Sequence, residues 1–398
     1  MLRLERSDLI SLATLLLCLQ PTLCLPLIAQ VTSVAATAKA LRQRRGVWPK
    51  HYMRPAPLDW SSKVSEMAWN QPRGEKRFER LFKVTYDEFV ELSARIKAKR
   101  GAKWAAEAAQ KPLGKSGKIS KRRGRKPLAV ELQLAMTLRY LAGGSYLDIM
   151  LWANIVTHST FYRSVYNTLK DLDDILPNPT LATDLSNPAR LDALSEGFLG
   201  RSYGWIRGCI GAVDGLLVPI TAPANEPGAG AAKYFTRKGF FALNLQGVCD
   251  SEARITYFSM KFVGSTHDSY AWSRDSLARR VASGGDAFEF LSTHGYHLIG
   301  DEAYTAGATF ATPWSSRSCK DPASREERLA YNYYHSAARI TIERTFGQLT
   351  KRFLLLKRPF SGDLEQTPHA PGLLLVVRCC VKLVRTAACR VGERGGGG

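Results

Sequence analysis

Histidine and cysteine are scarce in this 398-residue chain, and they form no metal-binding pattern. The chain has seven His and eight Cys, and no two Cys are spaced as Cys-x-x-Cys. The sequence therefore gives no support for a zinc site of the common kinds. A chain of this length also folds without needing disulfide bonds, which favours a reducing compartment.

Acidic residues are few compared with basic ones. The chain has 35 Asp and Glu and 56 Lys and Arg, which gives a formal net charge of +21. Such an excess favours a polyanionic partner, of which nucleic acid is the commonest. The alternative is a basic surface that serves solubility or binds anionic membranes. The hydrophobic fraction of 45% is that of a folded protein, so a disordered chain is excluded.

Long hydrophobic runs are also missing. The run Leu9–Leu19 has the length of a signal-peptide core and is too short to span a bilayer. Acidic residues beside it cancel the charge of Arg3 and Arg6. We predict an apolar leader of uncertain role over residues 1–45; a secretory leader, a buried helix and a wrongly placed start of the reading frame are the alternatives. The nucleus is the favoured location, with the cytoplasm as the alternative.

A basic region and linker are predicted over residues 46–126. The stretch Lys97–Lys126 contains twelve Lys or Arg and one acid. Such a stretch is typical of a solvated linker, and it is also typical of a nuclear-import signal or a clamp on the DNA backbone. We predict DNA contacts for three of its residues: Lys121, Arg122 and Arg123.

Residues 127–190 have the apolar period of helices and predict a small helix-turn-helix-like domain. Its two candidate helices are Ser145–Trp152 and Ser159–Tyr166, joined by a short turn. Four residues would then be available to face DNA: His158, Thr160, Tyr162 and Arg163. Short helical hairpins are common, and the local sequence alone favours ordinary packing.

Beyond Trp205 the pattern changes to strands, and residues 200–365 predict a mixed α/β domain. Three strands, a helix, a strand and a long helix follow one another, which is the order of an RNase H-like fold. The predicted elements are strands Cys209–Ile220, Phe240–Cys249 and Ile255–Phe262 with a turn at Asp250–Arg254, helix Asp268–Ala282, strand Tyr296–Ile299 and helix Arg325–Leu356.

Three acidic residues stand where a surface charge is unexpected. Asp214 interrupts an apolar strand, Asp301 follows one, and Glu343 lies among apolar residues of the long helix. The first strand, the fourth strand and the late helix converge in an RNase H-like sheet, so these carboxylates would meet. Clustered carboxylates repel, and oxygen ligands select Mg²⁺ or Mn²⁺ to offset that repulsion. The alternative for Glu343 is a simple ion pair with Arg339.

Asp268 is a separate case. It stands in the segment Gly264–Ser269, between a strand and a helix, where an acid also serves as a helix N-cap. The neighbouring His267 is a single histidine and gives weak support for catalysis. Asp250 is explained by its turn.

Five blocks in this order resemble the PIF/Harbinger transposases and the nucleases derived from them. The resemblance covers roughly residues 78–360, and the usual ending of that family is lost in residues 366–398, which predict a divergent tail. The matching blocks are GAVDGLLVPI (211–220), YFTRKGFFALNLQGVCD (234–250), GSTHDSYAWSRDSL (264–277), LIGDEAYTAGATFATPW (298–314) and YNYYHSAARITIERTFGQLTKRF (331–353).

The resemblance implies a DDE-type endonuclease that cuts DNA phosphodiester bonds with Mg²⁺ or Mn²⁺. It assigns catalysis to Asp214, Asp301 and Glu343, and it adds Asp268 as a further metal ligand. Arg237 and Lys238 are expected to hold DNA phosphates. A separate Myb-like DNA-binding partner and a homo-oligomer are compatible with this family, and no small-molecule cofactor is expected. The alternative is a domesticated DNA-binding or scaffold protein that has lost the reaction.

Overall fold

A mixed five-stranded sheet lies within the residues that the structure, a computed structural model, describes: 59–61, 72–110, 128–155, 157–223, 228–360 and 371–394. Its strands are β1 (Cys209–Pro219), β2 (Ala242–Cys249), β3 (Ile255–Val263), β4 (His297–Ile299) and β5 (Phe310–Ala311). Their order is β3-β2-β1-β4-β5, with antiparallel β1–β2 and β2–β3 pairs and parallel β1–β4 and β4–β5 pairs. This confirms the predicted mixed sheet, which is consistent with an RNase H-like core.

Helices precede the sheet and flank it. In the described residues they are α1 (Pro72–Phe82), α2 (Tyr86–Gln110), α3 (Val130–Leu141), α4 (Tyr146–Trp152), α5 (His158–Ile175), α6 (Leu181–Asp184), α7 (Pro188–Arg201), α8 (Asp268–Ser273), α9 (Ser276–Val281), α10 (Phe288–Thr293), α11 (Arg325–Arg352) and α12 (Pro371–Arg394). A helical region followed by a sheet with flanking helices is the predicted fold class. None of these helices is long and apolar enough to cross a membrane.

The predicted helix over residues 268–282 is divided into α8 and α9. Asp275 is the reason for the break: its backbone is extended (φ −71°, ψ 152°), and its carboxylate accepts a hydrogen bond from the Leu277 N–H at 2.8 Å. An N-cap residue takes a non-helical conformation, so the helix must end and restart there. The Tyr257 hydroxyl also donates to this carboxylate at 2.6 Å, which fixes α9 against β3.

The β2–β3 connection is the predicted turn. Asp250 is 1% exposed, and its Oδ1 accepts hydrogen bonds from the N–H groups of Glu252 and Arg254. The Arg254 guanidinium donates to Oδ2 at 2.7 Å. Ala253 takes a left-handed conformation with φ 62°, which closes the turn. Asp250 is therefore explained by the turn, as expected from the sequence.

The two faces of the sheet bury two apolar clusters. Ala212 and Val218 of β1 belong to the cluster under α11, whereas Ile210 and Val213 belong to the cluster with α9 and α10. From Ala212 onwards the faces alternate with the two-residue repeat of side chains along a strand, whereas an irregularity between Cys209 and Gly211 shifts this alternation at Ile210. The alternation also determines on which face of the sheet each polar side chain of β1 and β2 lies.

The helical region packs through α3, which is buried along almost its whole length. The predicted helix–turn–helix pair corresponds to α4 and α5, and Phe161 of α5 is fully buried against the core. His158, Thr160 and Arg163 are exposed, while Tyr162 is half-buried. α12 packs on α5, where the buried Lys382 ammonium donates to the Asp173 carboxylate at 2.6 Å.

Candidate active site

Asp214 and Asp301 lie at the same level of two neighbouring parallel strands. In the β1–β4 register Ala212 pairs with Ile299, and each Asp stands two residues further along. Because side chains alternate, both carboxylates belong to the sheet face that carries Ala212 and Ile299, under α11. Asp301 follows the end of β4, where its Oδ1 accepts a hydrogen bond from the Ala303 N–H at 3.0 Å. The structure thus brings these two residues together.

Glu343 lies on α11, which packs across β1 and β2 on this face. The Phe346 ring, one turn beyond Glu343, lies against Gly247, where a Cβ would come within 2.8 Å of it. Gly247 is the β2 partner of Asp214, so this turn of α11 passes over the acidic pair. The Glu343 carboxylate is 48% exposed and forms an ion pair with the Arg339 guanidinium, with 2.5 Å between the charged atoms. The ion pair considered as an alternative for Glu343 is therefore present.

The electrostatic environment of Asp214 disfavours its charge. Burial raises the pKa of its carboxyl to about 6, opposed by the hydrogen bond from the Gly215 N–H at 2.8 Å. The negative charges of Asp301 and Asp268 raise this pKa further, and the nearby Arg339 guanidinium lowers it. Asp301 and Asp268 are therefore close enough to Asp214 to repel its charge, which is the condition that a bound cation relieves.

Asp268 approaches β1 from the opposite face of the sheet. Its Oδ1 would lie 2.2 Å from a Cβ placed on Gly215, the residue after Asp214. Gly215 pairs with Gln246 of β2 and shares its face, whereas Asp214 points to the other side. Asp268 begins α8 as its first helical residue, and its carboxylate accepts hydrogen bonds from Asn244 and Gln246. Helix capping therefore does not explain Asp268, because the N-cap residue is His267.

A buried polar network surrounds the Asp268 carboxylate. The Asn244 amide donates to its Oδ1 at 2.8 Å and the Gln246 amide at 3.0 Å. The Tyr304 hydroxyl donates to the Gln246 carbonyl oxygen at 3.0 Å. Burial raises the Tyr304 pKa well above its usual range, and the charges of Asp268, Asp214 and Asp301 raise it further. Tyr304 therefore stays protonated and acts as a donor.

Sequence reasoning missed two members of this site. Gly215 touches Asp268 only because it lacks a side chain, and Tyr304 reaches Gln246 across the sheet. Neither contact leaves a periodic signal in the sequence. The one available signal was that both residues stand close to the acids, in the blocks DGLL and DEAY.

The donor set suits a hard divalent cation. Among the described residues, no three His, Cys, Asp or Glu side chains are gathered closely enough to hold one metal ion. Carboxylates nevertheless converge between the middle of β1 and the end of β4, where burial and the charges of Asp301 and Asp268 raise the Asp214 pKa. Carboxylate oxygens are the ligands of Mg²⁺ and Mn²⁺, so the chemistry of the site fits those ions.

Basic residues lie in the loop before β2. Arg237 and Lys238 are both exposed, in a tight turn closed by the hydrogen bond from the Thr236 N–H to the Phe240 carbonyl at 2.9 Å. The same loop contacts the segment that leads to Asp268, because the Ser265 N–H donates to the Lys233 carbonyl. Their exposure leaves both cations available to a polyanion. The other predicted DNA contacts, at Lys121, Arg122 and Arg123, lie outside the described residues, as does the leader over residues 1–45.

Comparison with known proteins identifies the domain. Residues 213–385 match the family described as DDE superfamily endonuclease. The protein "Putative nuclease HARBI1" of Bos taurus is 27% identical over 258 residues, which are 64% of this chain and 66% of that protein. The Homo sapiens protein of the same name is 26% identical over 254 residues, again 64% and 66%. "Protein ALP1-like" of Arabidopsis thaliana is 21% identical over 331 residues, 81% of this chain and 74% of that protein.

Residues 213–385 therefore match the DDE superfamily endonuclease domain, and the resemblance to Harbinger-derived nucleases is confirmed as a distant homology. The aligned part of the chain covers just under two thirds of the length of the two HARBI1 proteins. No solved structure matches the chain.

Proposed function

We propose that this protein is a metal-dependent DNA endonuclease that works by a two-metal DDE mechanism. The observation that carries the proposal is the shared position of Asp214 and Asp301. They lie on one sheet face, Asp214 in the middle of β1 and Asp301 just beyond the end of the adjacent parallel strand β4, under the helix that carries Glu343. This pair lies inside the DDE superfamily endonuclease domain. Asp214, Asp301 and Glu343 are the proposed catalytic residues, with Asp268 as a fourth ligand.

Mg²⁺ or Mn²⁺ held by these carboxylates would activate the attacking water or hydroxyl and stabilise the leaving oxygen of the phosphodiester. The protein's own groups must first change state. Asp214 has to lose its proton, which its raised pKa makes incomplete near pH 6. Glu343 has to exchange its ion pair with Arg339 for the cation. The freed Arg339 guanidinium then lies beside the site, where it suits a DNA phosphate.

DNA is the proposed substrate because of charge. The chain carries a net +21, and the exposed Arg237 and Lys238 stand in the loop that contacts the Asp268 segment. Lys121, Arg122 and Arg123 extend this proposal to the basic linker. A Myb-like partner protein and a homo-oligomer belong to the same proposal because of the family resemblance, and a nuclear location belongs to it because of the basic stretch Lys97–Lys126.

The decisive test is the metal dependence of DNA cleavage. We expect the purified full-length protein to nick or cut duplex DNA in the presence of Mg²⁺ or Mn²⁺ and to be inactive with EDTA. Zn²⁺ or Ca²⁺ alone should not restore the same rate. The measurement is gel-resolved cleavage of labelled DNA under each condition. Cleavage that persists in EDTA contradicts the proposal.

A catalytically silent DNA-binding protein is the second candidate, favoured by the Arg339–Glu343 ion pair. That protein would bind DNA in a salt-sensitive manner, and its affinity would be indifferent to Mg²⁺. Binding measured by fluorescence anisotropy with and without Mg²⁺, together with the cleavage assay, separates the two functions.

The loop before β2 gives a prediction on DNA affinity. Arg237→Ala and Lys238→Ala should each weaken binding for all DNA sequences and reduce the salt slope of log K by about one. The measurement is anisotropy over a range of NaCl concentrations. Arg207→Ala is the matched control, because Arg207 is also exposed but precedes β1, at the opposite end of the β1–β4 pair. An equal loss in all three variants would contradict a specific role of the loop.

A further inference from the structure

Asp268 is held by a hydrogen-bonded series of neutral side chains. The series begins at the Tyr304 hydroxyl, passes through the Gln246 amide, and ends on the Asp268 Oδ1 atom. Asn244 joins it twice: its amide nitrogen donates to the same Oδ1 at 2.8 Å, and its carbonyl oxygen accepts from Gln246 at 2.8 Å. Asn244 and Gln246 are each 1% exposed. Buried polar groups of this kind are costly unless fully paired, so a paired series is a specific feature.

The donor and acceptor directions in this series are determined by its two ends. An ionised carboxylate accepts hydrogen bonds and cannot donate them, so the Gln246 NH₂ group must face Asp268. The Gln246 carbonyl then faces the other way, towards Tyr304, whose hydroxyl donates to it. Without that hydroxyl the buried Gln246 carbonyl oxygen loses its donor, and the amide is held only through its NH₂ group, by Asp268 and Asn244.

Tyr304 itself is rigidly placed. It is 4% exposed, and its ring packs against Phe310 at 5.5 Å and edge-to-face against Trp272 at 6.3 Å between centroids. Trp272 stands one helical turn beyond Asp268 on α8, and Asp301 stands three residues before Tyr304. Tyr304 therefore connects the loop that carries Asp301 with the helix that begins at Asp268.

The described residues donate hydrogen bonds to only one oxygen of the Asp268 carboxylate. Oδ1 accepts both amide hydrogen bonds, and no described residue donates to Oδ2. Asp214 lies close enough for the Asp268 charge to act on it, although the two carboxylates approach β1 from opposite faces. The pairing of β1 with β4 ends at Ala212 and Ile299, so at Asp214 and Gly215 that edge of β1 is not covered by β4, and carboxylates from the two faces can approach each other around it.

We propose that Tyr304, Gln246 and Asn244 are positioning residues that fix the Asp268 carboxylate for divalent-cation binding with Asp214 and Asp301. The inference rests on the proposed function, because it takes Asp268 as a metal ligand. Outer groups that orient a ligating carboxylate typically change metal affinity 10–100-fold when they are removed.

The test is Mn²⁺ binding to the full-length protein after removal of metal, measured by isothermal titration calorimetry and by electron paramagnetic resonance of free Mn²⁺. Tyr304→Phe removes one hydroxyl and keeps the ring. We expect it to weaken Mn²⁺ binding about 10–100-fold while the protein stays folded. Tyr257→Phe is the matched control, since it also removes one hydroxyl that donates a hydrogen bond, in this case from β3 to the Asp275 carboxylate. It should bind Mn²⁺ like the wild type.

A merely structural role of Tyr304 gives a different result. Both tyrosine variants would then lower the melting temperature to a similar degree, and neither would change Mn²⁺ affinity. That outcome overturns the inference and leaves the proposed function intact. Failure of the wild type to bind Mn²⁺ at all overturns the proposed metal site instead, so the two failures are distinguishable.

A double-mutant cycle tests the route through Asp268. In an Asp268→Asn background, Tyr304→Phe should have no further effect on Mn²⁺ affinity, because the carboxylate it positions is gone. Additive losses in the double mutant would show that Tyr304 acts by another route and would overturn the inference. If Tyr304→Phe does not fold, Gln246→Met takes its place under the same criteria, as it keeps the side-chain volume and removes the amide.

Discussion

Replacing Asp214 with Asn is expected to abolish DNA cleavage and, at the same time, to stabilise the metal-free protein. The loss of activity follows from the loss of a charged group that would hold the proposed cations. Metal stabilisation of a transition state amounts to several kcal/mol, so the cleavage rate should fall about 1,000-fold or more. The measurement is the initial rate of DNA cleavage in saturating Mn²⁺.

The gain in stability follows from the pKa of Asp214. Burial and the neighbouring aspartates raise that pKa from 3.8 to about 6, so the folded protein binds the proton more tightly than the unfolded chain does. The metal-free protein is therefore destabilised by this group above pH 6, and the loss diminishes as the pH falls towards 4. Asn carries no charge and escapes this penalty. We expect Asp214→Asn to increase the free energy of unfolding by about 1–3 kcal/mol at pH 7.5 and hardly at all near pH 4.

Thermal unfolding in EDTA between pH 4 and pH 8 measures this difference. Asp286→Asn is the control, because the Arg280 guanidinium lowers the pKa of that exposed carboxyl and its removal should bring no gain. Added Mg²⁺ should raise the melting temperature of the wild type but not of Asp214→Asn, since a bound cation stabilises only a chain that binds it. An Asp214→Asn protein that is less stable than the wild type at pH 7.5 contradicts the electrostatic account.

The part of this site that could be predicted from the sequence was predicted from the apolar patterns of the strands. Asp214 and Asp301 were identified because each is attached to a buried strand, and the strand order then placed them side by side. The pattern could not predict β5, since Phe310–Ala311 is only two residues long. The division between α8 and α9 was missed because it depends on a side-chain cap at Asp275 rather than on periodicity.

Contacts between side chains of neighbouring strands could not be predicted from the sequence for a related reason. The face on which Asp268 lies is set by the β1–β2 register, in which Gly215 pairs with Gln246. A shift of one residue would place the same side chains on the other face. The register is therefore needed to identify the hydrogen-bonded network that ends on Asp268. It is also needed to identify the contact of Gly215 with the Asp268 carboxylate.

Gly215→Ala is expected to lower the cleavage rate about 100-fold while leaving the fold intact, because misplacing a reacting group by about 1 Å has an effect of that size. A Cβ at this position would lie 2.2 Å from the Asp268 Oδ1 and 2.7 Å from its Cγ, distances that real Cβ atoms essentially never show. The Gln246 amide nitrogen at 3.0 Å blocks one direction of escape. The Asp268 carboxylate must therefore move.

The backbone should keep its conformation, because Gly215 lies in a regular strand and has no left-handed φ that an Ala would strain. The displaced carboxylate weakens the hydrogen bonds from the Asn244 and Gln246 amides, so we expect a loss of stability of about 1–3 kcal/mol. The measurements are the cleavage rate and the urea midpoint of both proteins. Gly200→Ala is the matched control: this glycine lies in helix α7, and an added Cβ would meet nothing within 4 Å. It should keep the wild-type rate and gain slightly in stability. Gly215→Ala with the wild-type rate would mean that the position of Asp268 is immaterial to cleavage, and the reaction would then depend on Asp214, Asp301 and Glu343 alone.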